Sequence, residues 1–457
     1  MSTIAAISTA TGSGGIGIVR MSGKKSFEIL NKIFVPANKE NNEIKGYSIK
    51  FGYIINPETN EKIDEVLVSY FVSQKSYTTE DMCEINSHGG VIIEKKILEL
   101  CLKNGAELAE PGEFTKRAFL NGRIDLTQAE SVIDLINSKN DNEAKASINQ
   151  LEGHLSKKIH EIKNKILDVM ADIEANIDYP EYDIEQITNN KISVVLSEVK
   201  NDLVNLSNSF ENGKILKEGV KTIILGKPNA GKSSLLNTIL NEERAIVSEF
   251  AGTTRDTIEE FINVNGISLK LIDTAGIRKT DDKIEEIGVK RALKLSEEAD
   301  LIIAIFDGSK ELDTDDLQIL DLIKNKKSII LLNKKDIGDL ELENNESIKN
   351  ASNNVIKISA KTGEGIEEIY NTISELFKTN EISMNDGVII TNIRHKNQID
   401  KAISSVNEAI ESNEQAMPID IVSIPIKQIL YDLSVITGED ASEDVINEIF
   451  SKFCLGK

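Results

Sequence analysis

Residues 221–237 read KTIILGKPNAGKSSLLN: a short apolar run, a glycine-framed loop and the start of an amphipathic segment. The run Lys221 to Leu225 predicts a strand and Ser234 to Leu240 a helix, with G-x-x-x-x-G-K-S from Gly226 to Ser233 between them. Strand, loop and helix in that order form the whole phosphate-loop context, which is far more specific than the string alone. Glycines let backbone N–H groups turn onto phosphate oxygens, and the helix N-terminus adds its positive end. Lys232 reaches the β and γ phosphates and the Ser233 hydroxyl ligates magnesium. Asn229, Ala230, Gly231, Lys232, Ser233 and Ser234 thereby become candidate contacts of a nucleotide.

Three later segments choose the nucleotide. The predicted strand Ser268 to Ile272 ends in Asp273-Thr274-Ala275-Gly276. Its aspartate can hold magnesium through water, and the Gly276 amide can sense a γ-phosphate. Upstream, Gly252-Thr253-Thr254-Arg255-Asp256 offers a threonine hydroxyl to complete the magnesium shell, and Asn265-Gly266 signals a hairpin between Phe261 to Val264 and Ile267 to Leu271. Asn333-Lys334-Lys335-Asp336 follows the predicted strand Ser328 to Leu332, and Ser359-Ala360-Lys361 follows Val355 to Ile358. The Asp336 carboxylate matches the N1–H and 2-amino donors of guanine, whereas adenine offers an acceptor at N1 and no 2-amino group. Leaving such acceptors unpaired costs on the order of a thousandfold or more in discrimination, so the pattern selects GTP over ATP.

The rest of the chain sets limits around this block. At 457 residues it exceeds what one core organises, and 40% hydrophobic with 28% charged residues is an ordinary globular composition. Fifty-three basic against 75 acidic side chains give −22, which argues against sequence-independent coating of a nucleic acid. Any RNA contact is then local or shared. Apolar runs such as Leu301 to Phe306 are far shorter than a membrane span, and no basic-then-apolar leader opens the sequence; the expectation is a cytoplasmic protein with no membrane contact. Cys83, Cys101 and Cys454 are too few and too scattered for a disulfide framework or a zinc site, and the first two read as core.

Texture along the chain predicts a multidomain protein. Residues 1–123 mix β-branched runs (Gly15 to Arg20, Val66 to Val72, Met82 to Ile85), glycine turns and a helix over Val91 to Lys103, which reads as an α+β domain. Helical periodicity fills 124–213 and returns over 381–457, with an α/β block at 214–380 inserted between. The fold class expected is an N-terminal α+β domain, a discontinuous α-helical domain and an inserted α/β P-loop GTPase domain. The polar stretch Glu343 to Asn354 reads as a loop.

Two positions depart from small GTPases in general. Where many place a water-orienting glutamine after Asp-x-x-Gly, this chain has Ile277, and no arginine finger is evident. The stabilising cation could come from a partner, from Arg255 or Arg278, or from a bound metal ion, to which Asn229 inside the loop points. The block Pro228 to Asn237 with Ala251-Gly252-Thr253-Thr254-Arg255-Asp256 resembles the potassium-activated bacterial GTPases. Thr11 to Arg20, His88-Gly89-Gly90, Pro111 to Gly122 and Phe453-Cys454-Leu455-Gly456-Lys457 narrow that resemblance to the MnmE (TrmE) family of tRNA-modification GTPases, over essentially the full chain.

The resemblance implies a homodimer held by the N-terminal domain and activated when two G domains meet. It places Ser248, Glu249, Phe250, Ala251, Gly252, Thr253 and Thr254 against the nucleotide with Asp273, Thr274, Ala275, Gly276, Asn333, Lys334, Asp336, Ser359, Ala360 and Lys361. Asn229, Ser248, Phe250 (by its carbonyl) and Thr253 would ring K+ where an arginine finger would stand, Ser233 and Thr254 would hold Mg2+, and Glu285 would orient water. It further implies a one-carbon tetrahydrofolate, such as 5-formyltetrahydrofolate, on Arg20, Glu84, Arg123 and Lys457. A FAD-containing partner in a heterotetramer, tRNA as substrate and a reactive Cys454 complete the family picture: an aminomethyl-type group placed on C5 of a wobble uridine.

Taken alone, Cys454 reads as a half-buried cysteine beside the packing anchor Phe453, and His88 as either a ligand contact or a turn histidine bonded to backbone. Two rival functions stand beside the leading one. A ribosome-assembly GTPase usually appends a basic RNA module, yet beyond residue 380 the glycines are Gly387, Gly438 and Gly456, so no GxxG clamp is available. A folate-binding sensor using GTP only for regulation is the other.

Overall fold

The computed structural model describes residues 1–10, 12–38, 46–178, 185–241, 260–272, 295–337, 342, 345–377 and 388–457. The chain divides into two compact units, one of Met1–Ile133, Gln150–Lys200 and Lys401–Lys457, the other of Asp134–Asn149 and Asn201–Asp400.

In the first unit, strands β1 (Ile4–Ile7), β2 (Gly17–Ser22), β3 (Phe34–Pro36), β4 (Ser48–Ile55), β5 (Lys62–Phe71), β6 (Met82–Ser87) and β7 (Glu107–Leu108) form one seven-stranded sheet in the order β3-β4-β5-β6-β2-β1-β7. The period-2 alternation decides its faces. Ala5, Val19, Met21, Val66, Val68, Cys83 and Ile85 share a core with side chains of α1 (Ser26–Ile33) and α2 (Val91–Lys103), while Ile4 and Ala6 turn the other way onto Ala109 and Phe114. Cys83 and Cys101 lie in that first core as the sequence predicts, and burial pushes both thiols up, Cys101 to about 12.

Helices α3 (Glu113–Leu120), α4 (Leu126–Asn137), α5 (Asp141–Leu151), α6 (His154–Asp178) and α7 (Glu185–Glu218) follow, with no strand between them among the described residues. Buried Lys163 on α6 donates to Ser434 Oγ at 2.7 Å and to Glu439 at 2.6 Å. This ties the first helical stretch to the last, within the same unit.

The second unit holds a six-stranded sheet of β8 (Val220–Leu225), β9 (Glu260–Val264), β10 (Ile267–Leu271), β11 (Leu301–Asp307), β12 (Ser328–Asn333) and β13 (Val355–Lys357), ordered β13-β12-β11-β8-β10-β9. All pairs are parallel except β9 with β10. Strands buried on both faces suit near-continuous Ile and Leu runs. Accordingly Ile329 and Leu331 enter one core while Ile330 and Leu332 enter the other. Helices α8 (Lys232–Asn241), α9 (Thr314–Ile323), α10 (Glu346–Ala351) and α11 (Ile366–Leu376) accompany it. At the predicted hairpin Asn265 and Gly266 take φ of 50° and 84°, the left-handed pair that a two-residue connection needs.

One expectation fails. The stretch read as a loop from Glu343 to Asn354 contains α10, because the Asn345 side chain caps Ser347 N–H and Ile348 and Ala351 are buried. Two apolar contacts and a cap suffice where periodicity is too sparse to see. Helices α12 (Ile393–Glu414), α13 (Ile419–Thr437) and α14 (Glu443–Ser451) close the chain.

Candidate functional site

Parallel strands bring their carboxyl ends to one edge of the sheet, and the loops there carry the nucleotide motifs. The phosphate loop leaves β8 and enters α8. Gly231, at φ 111°, lies so close to Asn333 that a Cβ would stand 2.0 Å from its Nδ2. Only glycine fits. Asn333, buried at the end of β12, donates from Nδ2 to Ala230 O at 2.7 Å and accepts at Oδ1 from Ala360 N at 2.9 Å. One side chain thus stitches the phosphate loop to both guanine segments.

The two segments expected to read the base lie side by side. Ser359 Oγ donates to Asp336 Oδ1 at 2.8 Å, while Asp336 itself is exposed. That bond engages Oδ1 of the carboxylate. Lys334, in a left-handed conformation at φ 73°, pairs with Asp307 at 2.6 Å. Ser309 also donates to Asp307, and these bonds hold that carboxyl below its usual range although burial pushes the other way. Thr238 Oγ1 on α8 donates to Ala360 O at 2.7 Å, and Lys361 stands exposed beside it.

Lys232 turns inward. Its Nζ donates to Gly226 O at 2.5 Å and Lys227 O at 2.8 Å, and burial lowers its pKa. Both bonds keep the ammonium within its own loop. Asn229 is exposed at the loop apex with φ 64°, and Ser233 and Ser234 are exposed at the start of α8. The candidates Ser248, Glu249, Phe250, Ala251, Gly252, Thr253, Thr254, Asp273, Thr274, Ala275, Gly276 and Glu285, with Ile277, lie outside the described residues.

A second constellation forms in the N-terminal domain. Arg20 and Glu84 are cross-strand partners, with Arg20 Nε and Nη2 both donating to Glu84 Oε1 at 2.9 and 2.8 Å. Arg20 Nη1 donates to Gly456 O at 3.0 Å, and Ser8 Oγ donates to the same carbonyl at 3.1 Å. Gly456, at φ 84°, packs where a Cβ would meet Ile7 O at 2.4 Å. Lys457 O accepts from Phe114 N, and the Lys457 ammonium is lowered by burial and by Arg20 despite Glu84 and Cys454 nearby. Arg20, Glu84 and Lys457 are therefore brought together. Arg123 instead sits over the Tyr77 ring at 4.7 Å and donates to Tyr77 O.

Phe453 is buried against Phe450, as its reading as a packing anchor requires, whereas Cys454 is exposed and not half-buried. The tail turns outward at that residue. The His88 ring is bonded to a side chain and not to backbone: its Nδ1 and backbone N–H are both held by the Asp64 carboxylate, at 2.7 and 2.8 Å, which raises the imidazole pKa.

Comparison with known proteins fits this geometry. The model described as the MnmE helical domain matches residues 126–454, and that described as the GTP-binding protein TrmE N-terminus matches residues 3–123. The chain belongs to the MnmE (TrmE) family. The tRNA modification GTPase MnmE of Acetivibrio thermocellus is 52% identical over 100% of this chain and 99% of its own length. Those of Clostridioides difficile and Alkaliphilus metalliredigens are 49% and 47% identical over the same shares of each chain. The G domain of the T. maritima FeoB iron transporter aligns with 35% of this chain and 99% of its own at 26% identity and a TM-score of 0.25, a likeness too slight to argue from.

This MnmE-family chain is thus a GTPase with the fold class its sequence predicts. No helix among the described residues is long and apolar enough to cross a membrane. Sequence reading missed the acidic side of the nucleotide site. Asp313 caps α9 and Asp316 closes the capping box, and both accept from Lys227 of the phosphate loop. The pattern Asp313-Thr314-Asp315-Asp316 ahead of an apolar helix was the available signal for the box. Nothing in sequence pointed to its lysine.

Proposed function

We propose that this GTPase acts with a FAD-containing partner, in a heterotetramer, to add a carboxymethylaminomethyl or aminomethyl group to C5 of the wobble uridine of certain tRNAs. Full-length likeness to proteins named for tRNA modification carries the reading. The Asn333 stitch and the Ser359–Asp336 bond support its GTP half.

On this reading Asp336 accepts from guanine, Lys232 exchanges its carbonyl partners for β and γ phosphate oxygens, and Ser233 with Thr254 holds Mg2+. Asn229, Ser248, the Phe250 carbonyl and Thr253 would hold K+, which when bound supplies the positive charge an arginine finger gives elsewhere. Glu285 orients the attacking water, in place of the missing glutamine at Ile277. Exposure of Asn229 and Ser233 on the loop suits both ions.

In the N-terminal domain, Arg20 and Lys457 bring two cationic side chains together beside Glu84, which suits the glutamate tail of a one-carbon tetrahydrofolate. Both Arg20 bonds fall on Glu84 Oε1, so Oε2 is the oxygen for a pterin amino group. Arg123 would reach it from over Tyr77, which packs against the cluster holding Phe114, the ring that Arg20 overlies. Exposed Phe51 and Leu67 are cross-strand neighbours, with Ile49 exposed beside them, and this apolar face of the sheet supports dimerisation through the N-terminal domain.

Cytoplasmic location and a role for Cys454 in the modification belong to the same proposal. Nucleoside analysis of tRNA from cells lacking the protein is the test. The wobble modification should vanish and return with the wild-type chain but not with Lys232→Ala; an unchanged nucleoside profile would overturn the reading.

A further inference from the structure

The phosphate loop is tethered from two sides. Its Ala230 carbonyl is held by Asn333 on β12. Its other limb is held by Lys227, whose Nζ lies 2.5 Å from Asp313 Oδ2 and 2.8 Å from Asp316 Oδ2. Those carboxylates are fixed before the lysine arrives. Asp313 accepts from the backbone N–H groups of Asp315 and Asp316, Asp316 returns a bond to Asp313 N–H, and the α9 N-terminus favours negative charge there. The Asp316 side chain is only 8% exposed and Lys227 28%, so water screens this pair less than an ordinary surface bridge. Burial works against the Lys227 charge, but its bonds to Asp313 and Asp316 outweigh that and leave its pKa raised.

Residue 227 is engaged at its backbone as well. Its carbonyl accepts from Lys232 Nζ at 2.8 Å and from Ala230 N at 3.2 Å. When Lys232 turns to phosphates the first of these bonds is given up, and the side-chain tether becomes the stronger hold on that limb. The next residues are Pro228, whose ring restricts the backbone of its predecessor, and Asn229 at φ 64°. Fixing Lys227 therefore fixes the apex of the loop.

We propose that Lys227, latched onto the Asp313–Asp316 capping box, is a positioning residue that keeps the phosphate loop in its nucleotide-holding shape and so slows nucleotide release. It acts through the loop, not on the reacting atoms. The inference rests on the assignment of residues 226–233 to the phosphates.

The test uses the full chain and a fluorescent GDP. Lys227→Met should raise the GDP release rate about five- to tenfold and raise KM for GTP with kcat nearly unchanged, and Lys227→Arg should restore both, because it can bridge two carboxylates. Asp313→Asn, which keeps the helix cap but not the charge, should speed release in the wild-type background and add little to Lys227→Met. Unchanged release in Lys227→Met, equal loss of kcat, or additive effects of the two substitutions would overturn the latch. Lys232→Ala separates the two readings. If it weakens GDP binding while Lys227→Met changes nothing, the site stands and the latch fails; if neither matters, the loop assignment itself is wrong.

Discussion

The Asn140 side-chain amide donates to Ser268 Oγ at 2.8 Å, with both residues buried. The bond joins the turn before α5 to β10, the strand whose chain continues into Asp273. Asn142 Nδ2 reinforces it by donating to Gly266 O at 3.2 Å, and Lys139 Nζ lies 3.5 Å from the centre of the Phe261 ring. Asn140→Ala strands a buried hydroxyl and should cost about 1–3 kcal/mol in urea unfolding. The double variant Asn140→Ala with Ser268→Ala should lose less than the sum of its parts, since neither partner is left alone. Strict additivity would show that the bond contributes nothing.

Gly231→Ala should weaken GDP binding by roughly tenfold or more, because the new methyl displaces the Asn333 amide and with it the bonds to Ala230 O and Ala360 N. Fluorescence titration reads this directly, and an unaltered Kd would mean that the Asn333 stitch is dispensable.

Asp336→Asn should lose GTP affinity by on the order of a hundredfold or more while gaining affinity for xanthosine triphosphate. Xanthine carries a carbonyl where guanine carries an amino group, so an amide donor suits it. Competition between the two nucleotides measures the switch; retained guanine preference would place base reading elsewhere.

Glu143 gives a pH signature. Burial pushes its carboxyl up from an ordinary 4.5 to about 7, only partly offset by the Lys139 N–H and ammonium; Asp134 adds to the rise and Lys217 opposes it. Lys217 is in turn paired with Asp134 at 2.8 Å. A carboxyl that binds its proton more tightly when folded contributes stability at low pH and loses it as pH climbs from about 4.5 through about 7. Unfolding midpoints taken at about pH 5 and about pH 8 should differ less in Glu143→Gln than in the wild type. An identical slope in both would refute the assignment.

Gly456→Ala should weaken tetrahydrofolate binding in equilibrium dialysis while leaving GTP turnover intact, because a Cβ there collides with Ile7 O and Ser8 and moves the carbonyl that Arg20 and Ser8 share. Binding at wild-type strength would detach the tail from that site.

What could be read from sequence was what the backbone itself encodes. Gly226 to Ser233 and the Asn265-Gly266 turn announce themselves because particular conformations admit few residues, and the buried strands because both their faces are apolar. Asn333, Asp336 and Ser359 were found as motif members, and the structure adds that Asn333 is the joint between segments 103 and 27 positions away. The partners of Lys227 and Asn140 were not legible. Each is a polar side chain of common type, and only the fold brings Asp313 within reach 86 positions away, or Ser268 at 128. Helix α10 escaped because it buries two residues and no stripe.

The Arg20 guanidinium and the Gly456 carbonyl are separated by 436 positions. At ~5–20 residues per second, a ribosome needs roughly 20 to 90 seconds to make the second after the first. The sheet of the N-terminal domain has all its strands by residue 108, yet Arg20 gains its bond to the Gly456 carbonyl only after the GTPase domain has been synthesised in between. Through that interval a nascent chain lacks the carbonyl that Arg20 and Ser8 share. The two activities proposed for this protein are thus ordered in time during its own birth, nucleotide first and the N-terminal ligand last.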